Sequence, residues 1–126
     1  MKKNIFAFLA SGAWISISEF IRNELLLKTY WLDKYNSMEL VFPSEPVNYA
    51  LWGVWSFMLS GLTVFLLKKI RFFEAIIVIW LTAFLMMWIV IGNLNVLPFG
   101  LLFFAIPWSI LEVTIAAIIS RQILGI

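Results

Sequence analysis

The chain contains no cysteine and no histidine. The first absence removes disulfides and thiol redox chemistry, and the two together remove haem attachment and zinc sites of the usual kind. A serine hydrolase would lack its histidine base, and neither a GxSxG turn nor a glycine-rich phosphate loop occurs. No catalytic residue and no metal site is therefore assigned, and the cofactor is left unknown. An enzyme is not the favoured reading, since catalysis would rest on Glu, Asp, Ser, Tyr or Lys alone. Charge is scarce as well: Asp, Glu, Lys and Arg make up 13% of 126 residues, and the net charge is only +2. No basic cluster with interleaved aromatics lies outside the apolar runs, which argues against nucleic acid as a partner.

What is abundant is apolar. Hydrophobic residues reach 63%, against roughly 45–50% in soluble domains. A small domain keeps much of its surface exposed and cannot hide such an excess. The lipid bilayer is the solvent that accommodates it. Four runs carry the excess, at 5–21 (with an extension to 27 left open), 48–67, 72–91 and 99–119. Each is about 17–21 residues long, close to the roughly 20 that span a hydrocarbon core as helix. Backbone groups in lipid must be bonded internally, and the runs do not alternate as barrel strands do, so helices are predicted. The expectation is an all-α fold: residues 1–126 as one membrane domain, a four-transmembrane-helix antiparallel bundle in the cell membrane. Lys2-Lys3 with Ala10-Ser11-Gly12-Ala13 imitates a signal peptide, but the apolar stretch between them is short for an h-region.

Pro43 and Pro46 mark the entry to the second helix, where a missing N–H is harmless. Lys68-Lys69-Ile70-Arg71 links the second and third helices, and Gly92-Asn93-Leu94-Asn95 with Pro98 links the third and fourth. The connection at about 28–47 reads as an outward loop, whose first half could prolong the first helix. Its Tyr30, Trp31, Tyr35 and Phe42 suit the headgroup zone. An even number of helices puts both termini on one side. That side holds Lys2, Lys3, Lys68, Lys69, Arg71 and Arg121, against Arg22, Lys28 and Lys34 opposite, so both termini are expected in the cytoplasm.

Glu112 is the most informative residue. A carboxylate inside an apolar span is costly and is a functional-site hypothesis by default. The plain alternative is a protonated Glu that fixes helix packing. Pro107, five residues earlier, removes a helix bond and can free the carbonyl of Phe103, so Pro107, Ser109 and Glu112 are read as one irregular region. Glu19 is the second candidate, on a stripe with Gly12, Ser16 and Asn23 that either lines a polar cavity or merely carries a Glu19–Arg22 pair near the interface. From a rise of 1.5 Å per residue, Glu19 and Glu112 are expected at depths differing by roughly 9–13 Å, too far for direct pairing. Trp80 and Trp88 lie deep in the third helix, with indole N–H groups available to Glu112 or to a ligand.

The ligand-binding set is thus Glu112, Ser109, Pro107, Trp80, Trp88 and Glu19, and the favoured function is small-molecule binding or transport. The alternative is a structural or accessory subunit docking through its outer loop. Small residues at Gly53, Ser56 and Ser60, and at Gly12 and Ser16, lead us to expect a homo-oligomer or a larger membrane complex.

The blocks Glu19-Phe20-Ile21-Arg22-Asn23, Phe42-Pro43 and Pro107-Trp108-Ser109-Ile110-Leu111-Glu112 resemble small uncharacterised prokaryotic four-helix membrane proteins, which implies a fold but no activity. The segment from Phe42-Pro43 to Trp52-Gly53-Val54-Trp55 is similar to the proline–tryptophan helix entry of the translocator protein (tryptophan-rich sensory protein) family. That family has five membrane helices, whereas four are read here, and neither ligand nor residue roles are carried over.

Overall fold

The computed structural model describes residues 1–126 and is all-helical, with no strand. Four of its five helices are long and apolar enough to cross a membrane: α1 Lys2–Leu26, α3 Pro46–Leu67, α4 Phe72–Asn93 and α5 Phe99–Leu124. The fifth, α2 Lys28–Ser37, lies within the connection read from sequence as a loop. It does not prolong α1. Leu27 leaves helical geometry at φ −114°, ψ 7°, and α2 starts afresh from it.

Each helix runs past its apolar core into polar residues, because backbone hydrogen bonding continues where lipid contact ends. The ends have specific causes. Glu45 and Asn48 form a reciprocal cap at the start of α3, with Pro46 at the first helical position. Gly125, left-handed at φ 73°, stops α5 by donating its N–H to Arg121 O at 3.0 Å. In the link between α4 and α5 the left-handed residue is Asn95, at φ 61°.

Two helices contain a π-turn, at Ile21–Leu26 in α1 and Leu81–Leu85 in α4. In the first, the Leu27 N–H reaches back five residues to Arg22 O at 2.8 Å. Neither interrupts its helix, yet each changes which residues face inward beyond it. The irregularity expected around Pro107 is not where the helices deviate: α5 is assigned as α-helix throughout Leu102–Leu124, with Pro107 inside it.

Polarity is distributed inside out. Of 28 buried residues, ten are polar or charged: Ser11, Ser18, Glu19, Arg22, Ser56, Ser60, Thr63, Ser109, Glu112 and Ser120. Large apolar side chains such as Phe73, Phe103, Met58 and Ile89 point outward. Polar groups hidden among helices and apolar groups on the periphery are what a lipid environment selects. Between α1 and α3 the small residues mesh. Ser11 Oγ and Ser60 Oγ are 2.6 Å apart, and Ser60 Oγ also donates to Phe8 O at 2.6 Å. Gly12 lies under the Phe57 ring. Between α1 and α5, Trp14 contacts residue 112 while Ser18 contacts residue 108. The sequence numbers run in opposite order along the two helices.

Candidate functional site

Glu19, Arg22 and Glu112 form one buried cluster, each no more than 4% exposed. Arg22 donates through Nη2 to Glu19 Oε2, and the Asn23 amide donates to the same oxygen at 3.0 Å. Ser18 Oγ donates to Glu112 Oε1. The Glu19 carboxyl lies within hydrogen-bonding reach of Glu112. This corrects the depth expected from helix rise alone. Cα–Cβ bonds tilt toward a helix's N-terminus, and α1 and α5 run in opposite directions, so the Glu19 and Glu112 side chains lean toward each other and close the gap.

The surroundings hold this geometry. Trp14 Nε1 donates to Glu112 O at 2.9 Å, and Trp108 Nε1 donates to Ser18 Oγ at 2.9 Å. The Arg22 guanidinium stands over the Phe84 ring, 5.2 Å from its centroid, and Phe84 belongs to the π-turn of α4. Three polar atoms remain without a hydrogen-bond partner at the centre of the cluster: Glu19 Oε1, Arg22 Nη1 and Glu112 Oε2. Unsatisfied groups at this depth are costly and call for an explanation.

Cavities meet at the cluster. The first, about 440 Å³, lies beneath α2. Its wall is aromatic, with Trp31, Tyr35, Phe42, Trp52, Trp55 and Trp88, and includes Arg22 and Asn23. Phe42 closes this end edge-on to Tyr35, at 5.1 Å between centroids. The second, about 490 Å³, is a groove between α1 and α5 walled by Arg22, Leu26, Leu27, Phe104, Pro107, Trp108 and Leu111. A third, about 130 Å³, lies between α1 and α3 and includes Ser16, Glu19, Asn23, Glu24 and Tyr49. Glu24 accepts from Lys28 at 2.7 Å, and that bond raises the Lys28 ammonium above its ordinary range.

The residues expected to form a site divide into two groups. Glu112 and Glu19 are brought together. Ser109 and Trp80 pair with one another, Trp80 Nε1 donating to Ser109 Oγ at 2.9 Å, so Trp80 does not serve Glu112. Trp88 lines the aromatic cavity and packs edge-on to Trp80, while Pro107 lines the groove. Sequence reasoning missed Ser18, Trp14 and Trp108, and it left Arg22 at the interface rather than in the core. The signal was the spacing Ser11, Ile15, Ser18, Arg22, a buried stripe one residue over from the one chosen. No group of histidine, cysteine or carboxylate side chains that could hold a metal ion is present.

Neither a family model, nor a curated protein, nor a solved structure shows significant similarity to this chain.

Proposed function

We propose that the chain is a multi-pass protein of the cell membrane, an antiparallel four-helix bundle with both termini in the cytoplasm, that binds a small, largely apolar molecule beside Glu112 and carries it across. One observation supports this reading above the others. A buried acid–arginine–acid cluster with three unpartnered polar atoms adjoins an aromatic cavity of about 440 Å³. Ligand sites are typically concave and mostly apolar, roughly 300–1,000 Å³, with few polar groups to orient the ligand. Packing alone does not account for a cavity of that size beside uncompensated polar atoms.

The carrier reading assigns Glu112 a proton-dependent role, and Glu112→Gln keeps its shape while removing its titration. The test is calorimetric binding of 2-phenylethanol to the protein in lipid nanodiscs, against empty discs, across a pH series. Expected is saturable binding to the wild type and an altered affinity or pH response in Glu112→Gln, with the helical circular dichroism signal retained. Unchanged binding and pH response in that variant would remove Glu112 from the site.

A further inference from the structure

The two large cavities share one charged wall residue, and it is Arg22. Neither Glu19 nor Glu112 lines either of them; Glu19 faces only the small polar cavity. The guanidinium commits Nη2 to Glu19 and leaves Nη1 without a partner. The charge that a molecule in either large cavity meets is therefore positive, although the acids outnumber the arginine. The free atoms of the acids, Glu19 Oε1 and Glu112 Oε2, belong instead to two carboxyls within hydrogen-bonding reach of one another.

Resting on the function proposed above, we propose that Arg22 docks the carboxylate of a ligand with an aromatic body, and that each such anion binds together with one proton taken up by the Glu19–Glu112 pair. The charge count requires this coupling. Two carboxyls in such contact hold one proton between them, since like charges at that distance do not both ionise. With one shared proton and the Arg22 cation, the cluster is neutral. A bound carboxylate adds one negative charge in a low-dielectric site, and one further proton on the pair restores neutrality. The carboxylate supplies the acceptor that Nη1 lacks, and a planar guanidinium suits it.

No other group competes for that role. On α1, Glu24 is already paired with Lys28. The one titratable group that α3 brings close is Tyr49, in the small cavity. From α4 the cluster meets the aromatic Phe84, with Trp88 beside it. On α5, Glu112 stands alone, with Arg121 nine residues further along the helix.

The experiment titrates phenylacetate, 2-phenylethanol and phenethylamine into the protein in nanodiscs by calorimetry at pH 7. The phenylacetate titration is repeated in two non-carboxylate buffers of different ionisation heat, which counts protons. Expected are a preference for phenylacetate over both analogues and uptake of close to one proton per phenylacetate bound. Arg22→Gln should weaken phenylacetate by at least about tenfold, the usual scale for losing a charged hydrogen bond, and leave 2-phenylethanol binding unchanged. Glu19→Gln/Glu112→Gln should bind phenylacetate with no proton uptake. If either variant fails to fold, the ligand preference and proton count of the wild type decide the matter. Preference for phenethylamine, no preference for phenylacetate over 2-phenylethanol, or phenylacetate binding without proton uptake overturns this inference and leaves the cavity as a ligand site. Absence of binding by all three removes the function proposed above along with it.

Discussion

At the scale of single residues, the closest fit in the molecule is Gly12 against Phe57. A Cβ built on Gly12 would stand 2.3 and 2.4 Å from two ring atoms of Phe57. That distance excludes any side chain unless the ring moves, and Phe57 is itself fixed edge-on to Phe8 at 5.4 Å. Gly12→Ala should therefore destabilise the protein by about 1–3 kcal/mol, the cost of overpacking a close contact. The unfolding midpoint in mild detergent measures this, and trimming the ring in Gly12→Ala/Phe57→Leu should recover part of the loss. An unshifted midpoint in the single variant would mean that α1 and α3 separate without penalty. Glu19 and Glu112 show how far single residues can be read in advance. Both stand out in the sequence because a carboxylate in an apolar run is conspicuous. Their meeting was hidden, because depth counted along two backbones ignores the direction in which long side chains lean.

At the scale of elements, the four long helices were legible because hydropathy over about 20 residues is a strong signal. Their ends were legible wherever a residue had a special conformational duty, as at Pro46 and Asn95. The helix α2 was not. It has no buried residue, so its composition gives no apolar face to detect. It is held by a few aromatic contacts, such as Tyr30 with Phe104 at 6.4 Å between centroids and Trp31 with Phe42 at 6.0 Å. The π-turns were equally silent, since Ile21–Leu26 and Leu81–Leu85 are ordinary helix-forming sequence apart from Asn23 and Thr82. Their cause is tertiary: they bring Arg22 and Phe84 into contact, and no local pattern announces that pairing.

At the scale of the whole molecule, the small-residue stripes read as inter-subunit seams are largely consumed within one chain. Ser11, Gly12 and Ser60 pack α1 on α3, and only Gly53 has open space where a Cβ would stand. Association, if it uses small residues, should use the Gly53 face. Orientation is open to direct test because the chain has no native cysteine to confuse labelling. In intact cells, an impermeant maleimide should label Ser37→Cys and spare Lys69→Cys; the opposite pattern would invert the proposed topology. The π-turn of α1 carries a consequence for the length of the chain. It is the form a helix takes after accepting one residue beyond its pitch, so the placement of α2 over the cavity depends on a count of residues as well as on their kinds. Deleting Leu25 would let this turn close as α-helix and would rotate everything after it by about 100°, carrying Trp31 and Tyr35 off the cavity. Helix content should survive the deletion while 2-phenylethanol binding is lost. By this reasoning the stretch 21–26 tolerates changes of letter far better than the loss or gain of one.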